Sequence, residues 1–188
     1  MDIRAFFALP LKQNVVRRLA DHADTLCHLD TDGAVDWVDS DSYHLTLCFL
    51  GNIKLKQINS LETLVSKALR NTDSFQLHLD RGEYYRVSDE LALLAALAVA
   101  DSRLIALRRL LVDVIGAVGL NTEQQNFKPH VTLGRMNGAL GFREPEIWPD
   151  LNLLNLADEV VLYQSKAGTN GSIYTPLFKV PLGIKVEA

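Results

Sequence analysis

Two of the five histidines open the same short pattern: His44-Leu45-Thr46-Leu47 within SYHLTLCFLGN and His130-Val131-Thr132-Leu133 within FKPHVTLGRMN. Side chains alternate faces along a β-strand, so each copy offers an imidazole and a hydroxyl on one face and two aliphatic groups on the other. From the chain's own frequencies, roughly one sequence in a thousand would start two of its five histidines this way by chance. Two such strands facing across a cleft would gather two imidazoles and two hydroxyls around one small anion. That is a layout for paired acid and base chemistry on a phosphate. A lone strand histidine is more often a buried ring satisfied by a carbonyl, and Thr is a common strand former; the duplication is what favours chemistry.

Other residues join these with weaker signals. Arg135 lies five residues after His130 and would face away from it on a regular strand, but Gly134 before it marks a possible bulge that would turn it back. The first motif has Phe49 where an equivalent cation would sit, so the two halves are not interchangeable. Phe127 and Tyr174 are candidates for stacking on a base or ribose, against the commoner reading as core aromatics. Lys128 reads as a solvated lysine that adds positive charge. The chain carries no Gly-x-Ser-x-Gly elbow, Walker A loop, His-Glu-x-x-His or dinucleotide Gly-x-Gly-x-x-Gly. Acidic ligands at metal-binding spacing are missing beside either motif, so neither a metal nor another cofactor is expected.

The elements that must position these residues follow from periodicity. Residues 3–9 read as a buried strand ended by Pro10, and Leu11, Val15, Leu19 and Leu26 recur at near-helical spacing to about His28. LDTDGAVD is a loop, 35–38 a short strand, and 39–42 a turn into the first motif strand. A second helix spans 55–70 through Ile58, Leu61 and Val65. Phe75, Leu77 and Leu79 alternate in a strand that leaves His78 on the solvent side, and 83–87 with 91–99 reads as a hairpin. LALLAALAVA has helical composition, but the turn signal before it favours a strand. A third helix runs from Ser102 to about Val118, and the polar loop LNTEQQNFKP delivers the second motif strand. Residues 136–150 form a surface loop, followed by strands at 151–156, 160–165 and 177–184, the last two joined by the Gly168–Gly171 turn.

With 188 residues, 48% of them hydrophobic and 22% charged, the chain suits one soluble domain, 1–188. Its net charge of −4 and pI near 5.7 argue against coating long nucleic acid through a broad basic face; one terminal phosphate needs only local positive charge. Cys27 and Cys48 suit reduced structural thiols. The opening MDIRAFFALPLKQN lacks a signal-peptide layout, and the longest apolar run, 91–100, is half a membrane span. A cytoplasmic monomer without a membrane partner is expected.

At these motifs the sequence resembles the two-histidine phosphoesterase superfamily, and most of all the RNA 2′,3′-cyclic phosphodiesterases, also called 2′-5′ RNA ligases. The likeness continues through IRAFFALPL, DWV, HLTLCFLG, PHVTLGR and VVLYQSKAGTNGSIYTPL. It implies an α+β fold with two pseudo-twofold related, mainly antiparallel lobes flanking a central groove and helices outside. It also implies metal-independent hydrolysis of RNA 2′,3′-cyclic phosphate ends to 2′-phosphomonoesters, with reverse ligation as a secondary activity. In that scheme His44 is the proton donor and His130 the acceptor, while Thr46, Thr132 and Arg135 hold the phosphate. Asp36 departs from the pattern, standing where related sequences often carry Arg. Two alternatives stay open: cleavage of 2′-5′ oligonucleotides or another small cyclic phosphate, and a non-catalytic module that binds RNA ends.

Overall fold

The computed structural model describes residues 2–122, 126–169 and 171–183. Strands and helices follow in the order β1 (Asp2–Pro10), α1 (Gln13–Cys27), β2 (Asp36–Trp37), β3 (His44–Lys54), α2 (Leu55–Ala68), β4 (Phe75–Arg86), β5 (Ala92–Ala98), α3 (Ser102–Ala117), β6 (His130–Met136), β7 (Leu153–Ala157), β8 (Glu159–Gly168) and β9 (Gly171–Pro181). A 3₁₀ turn at Ser40–Ser42 leads into β3, with the Asp39 side chain accepting from the Asp41 N–H. The expected strand end at Ile184, residues 123–125 of the polar loop and Asn170 of the last turn lie outside the described residues.

Every strand pair is antiparallel. The sheet runs β7-β4-β5-β6-β3-β1-β8-β9, with β2 added beside β6. Leaving β2 aside, the other eight strands divide four and four at the β6–β3 seam, and the two motif strands are the ones that meet. The expected α+β architecture with two related halves is present, the halves being joined edge to edge in one sheet.

The helices cover one face. Val15, Leu19 and Leu26 of α1, Ile58, Leu61 and Val65 of α2, and Leu104, Leu107, Leu111 and Ile115 of α3 form one core with Leu45, Leu47, Val131 and Leu133 of the motif strands. At about 1.5–3 kcal/mol per fully buried aliphatic side chain, this packing dominates the stability of the fold. It also fixes the pleat: with Leu45, Leu47, Val131 and Leu133 turned toward the helices, the neighbouring His and Thr residues must face the open side.

Two expectations about the elements need comment. The strands expected at 75–79 and 83–87 are one strand, β4. Its pairing with β5 steps from Leu79↔Ala98 to Arg81↔Leu97, leaving Asp80 unmatched; that bulge reverses the alternation and makes one strand read as two. The helix-like LALLAALAVA run is strand β5, paired on both edges with β4 and β6 and buried at all seven positions.

Candidate active site

Leu45 of β3 pairs with Val131 of β6. In an antiparallel ladder that register sets His44 opposite Thr132 and Thr46 opposite His130, all four on the face away from the helices. The two histidines then lie on the diagonal of the ladder, with Cα atoms about 7–8 Å apart.

Each imidazole is fixed in the same way. His44 Nδ1 lies 2.7 Å from the Ser42 carbonyl oxygen, and His130 Nδ1 lies 2.7 Å from the Lys128 carbonyl oxygen, in both cases two residues back along the chain. A carbonyl only accepts, so Nδ1 carries the proton in both rings and Nε2 is the nitrogen left for chemistry. Thr46 Oγ1 stands 3.2 Å from His44 Nε2.

The local fold also decides where Arg135 goes. The β6–β5 register steps from Gly134↔Leu94 to Thr132↔Ala95, leaving Leu133 as the extra residue of a bulge. The reversed alternation brings Arg135 to the open face, and its charge acts on both histidines. A Cβ on Gly134 would come 2.6 Å from Val35 and 3.3 Å from Trp37, so this position admits only glycine while β2 packs there. Asp36 faces Arg135 in the β2–β6 register, yet no ion pair joins them among the described residues.

The first half repeats this construction. The β3–β1 register steps from Cys48↔Phe7 to Thr46↔Ala8 and skips Leu47, the counterpart of Leu133. Phe49 therefore occupies the place of Arg135. Phe49, Phe6 and Tyr163 are paired in one row across β3, β1 and β8, as Arg135, Leu93 and Tyr85 are across β6, β5 and β4. One side of the site is aromatic and the other cationic. Phe6 lies 5.0 Å from His44, 5.8 Å from Phe49 and 5.5 Å from Tyr163, ring centre to ring centre.

Tyr174 belongs to this aromatic side, its ring edge-on to His44 at 5.0 Å and to Phe6 at 5.2 Å. Phe127 does not join it. That ring packs against the helix-side core, with the Arg108 guanidinium 4.6 Å from its centre, because Arg108 of α3 reaches across to the Leu47 carbonyl. Lys128 is not simply solvated: it pairs with Glu83 and sits 4.0 Å over the Tyr85 ring. Phe6, Tyr85 and Tyr163 went unread in the sequence. Their only signal was the duplication itself, since the strand partners of one motif predict those of the other.

Burial is the first cause that lowers both histidines. His44 is pushed down to about 4, with the charges of Arg135 and His130 adding to burial and the Ser42 carbonyl opposing it. His130 is lowered by burial, then by Lys128 and Arg135, against the Lys128 carbonyl. Burial and the neighbouring cations thus favour the neutral form of both rings in the free site. An anion between them favours the charged form of each, so the donor role that the family resemblance gives His44 depends on the bound phosphate. Among the described residues no group of three or more His, Cys, Asp or Glu side chains is placed to hold a metal ion, and no helix is long and apolar enough to cross a membrane.

Known proteins are similar to this chain in sequence and, where solved, in fold. The RNA 2′,3′-cyclic phosphodiesterase of Methanothermobacter thermautotrophicus is 26% identical over 183 residues, covering 94% of this chain and 97% of the relative. That of Thermotoga maritima is 23% identical over 184 residues, covering 94% of each chain. The crystal structure of Escherichia coli LigT complexed with 3′-AMP superposes with a TM-score of 0.77 at 25% identity, over 97% of this chain and 99% of that one. The family model of the 2′-5′ RNA ligase superfamily matches residues 18–163, a span that contains both His-x-Thr strands and the seam between them, and the chain belongs to that superfamily.

Proposed function

We propose that the chain hydrolyses RNA 2′,3′-cyclic phosphate ends to 2′-phosphomonoesters. The observation that carries this reading is the mirrored quartet of His44, Thr46, His130 and Thr132, with each Nδ1 tied to a carbonyl at 2.7 Å and each Nε2 left for the substrate. Two relatives that span nearly the whole chain are named RNA 2′,3′-cyclic phosphodiesterases, and LigT holds a nucleoside monophosphate; both support the choice of substrate.

In this mechanism the cyclic phosphate lies between the two imidazoles. Water attacks phosphorus from the His130 side and its proton passes to Nε2 of that ring. The bond from phosphorus to the ribose 3′-oxygen breaks on the opposite side, and His44, protonated in the complex, delivers its Nε2 proton to the departing oxygen. The product keeps its phosphate on the 2′-oxygen. Each proton transfer contributes about 10²–10⁴ in rate. Hydroxyls of Thr46 and Thr132 and the Arg135 guanidinium meet the charge that gathers on the non-bridging oxygens. The same steps with a 5′-hydroxyl attacking in place of water, its proton passing to His130 and the 3′-oxygen leaving with the proton of His44, join the two ends through a 2′-5′ bond, while the abundance of water favours hydrolysis. An NMR assay of phosphorus on 2′,3′-cyclic AMP tests the reading: appearance of the 2′-monophosphate alone is expected, and an unchanged cyclic phosphate at saturating enzyme would overturn it.

A further inference from the structure

The two histidines are held by the same bond but reach it by different routes. Each Nδ1 gives its proton to the carbonyl two residues earlier, Ser42 for His44 and Lys128 for His130, at 2.7 Å. The residue between carbonyl and histidine sets where that oxygen stands. In the second half it is Pro129, whose ring holds φ near about −65° and keeps Lys128 before it extended. In the first half it is Tyr43, which has no such ring, and yet its φ is −67° with ψ at 127°. A proline-like backbone there has to be imposed from outside, and the 3₁₀ turn imposes it. Tyr43 N–H donates to the Ser40 carbonyl at 3.1 Å and Ser42 N–H to the Asp39 carbonyl at 2.9 Å. Asp39 is the N-cap of this turn, its side chain accepting from the Asp41 N–H at 3.0 Å. A single turn forms few backbone bonds for the dihedrals it fixes, so its cap matters more than one on a long helix.

We propose that Asp39 is a positioning residue for His44: by capping the turn it holds the Ser42 carbonyl where Nδ1 donates, and so keeps Nε2 turned to the substrate. Its effect on turnover rests on His44 being the acid of the hydrolysis. As the acid, His44 has to take up a proton where burial opposes it, and the Ser42 carbonyl is what favours the charged ring. The charges that act on His44 are those of Arg135 and His130, so Asp39 works through the backbone and not through its own charge. The second half needs no counterpart, because Pro129 does the same work covalently.

The test compares Asp39→Ala with Asp39→Asn, which caps about as well as Asp. Asp39 is exposed, so neither change disturbs the core. For 2′,3′-cyclic AMP, kcat should fall about 3- to 10-fold in Asp39→Ala with KM within about twofold of the parent, as for a misaligned proton donor, while Asp39→Asn stays within about twofold in both. Nitrogen-15 NMR of the imidazoles at neutral pH supplies a second readout. His44 should carry its proton on Nδ1 in the parent and in Asp39→Asn, the form with the proton on Nε2 should appear in Asp39→Ala, and His130 should be unmoved in all three. Equal losses in both variants would make charge the cause, and a lower Tm in Asp39→Ala with the ring and kcat unmoved would make the cap purely structural; either result overturns the proposal, as does a fall in kcat with the His44 ring unchanged. The NMR comparison needs no substrate. A parent that leaves the cyclic phosphate intact therefore sinks the hydrolysis reading alone, while the ring of His44 still decides what Asp39 does.

Discussion

Leu45 and Val131 face each other across the seam of the sheet, and this one pair sets the positions of all the reactive groups. Because both side chains are completely buried, the register is anchored by the core and not by the groups that do chemistry. The histidines can therefore be altered without asking the fold to reorganise.

His44→Ala and His130→Ala are each expected to lower turnover by about 10²–10⁴, since each removes one proton-transfer group. Both rings are only half-buried, so the thermal unfolding midpoint should move little. Steady-state rates and melting curves on the same preparations check this. A collapse in stability with activity per folded molecule preserved would return both residues to a structural role.

The pH dependence has a definite sign. Burial and nearby cations lower both imidazoles in the free protein, and the reaction needs one ring protonated and one neutral. The kcat/KM profile should then be bell-shaped with its maximum on the acid side of histidine's ordinary value of about 6.5. The bound anion raises both groups, so the kcat profile should lie at higher pH. In Arg135→Met a positive charge that depresses both rings is gone, and the kcat/KM maximum should shift upward in pH as KM rises about tenfold, roughly 1.4 kcal/mol of lost binding. A profile in Arg135→Met that stays in place would mean that the guanidinium acts on neither histidine.

Much of this site was legible in the sequence because it rests on strand alternation, which two His-x-Thr copies display openly. The bulge that returns Arg135 to the open face was signalled by Gly134, where only a hydrogen side chain fits beside Val35 and Trp37. Tyr85 was not legible. The unmatched Asp80 reverses the pleat within β4, so extending the Phe75-Leu77-Leu79 alternation onward points Tyr85 toward the helices. Phe127 takes the commoner of its two readings, a ring packed on the core, but nothing in the local pattern says that Arg108, nineteen positions earlier on α3, will cover it.

Turnover should survive exhaustive chelation with EDTA. The proposed steps draw their protons and charge from His44, His130, the two threonines and Arg135, and the site's donor set offers no third His, Cys, Asp or Glu ligand among the described residues. Loss of activity with EDTA and its return with a divalent ion would assign the two Nε2 atoms to a metal.

The last expectation concerns substrate length. Binding of long RNA draws on many phosphate contacts, and the counterions they release make affinity fall steeply with salt. Here the net charge is −4, and several cations on the sheet's second half are already neutralised: Arg81 by Asp80 and Glu83, Arg86 by Asp89, and Lys128 by Glu83. Arg135 has no such partner among the described residues, and on the other half its place is taken by exposed Phe49. One cyclic phosphate and an adjoining base are what these groups can hold. A 2′,3′-cyclic mononucleotide or dinucleotide should therefore reach a kcat/KM within about tenfold of a longer RNA with the same end, equivalent to less than about 1.4 kcal/mol of added transition-state binding. Comparing the two at low and moderate salt decides it, because a gain of several decades with length that collapses as salt rises would require a basic track running out from the seam.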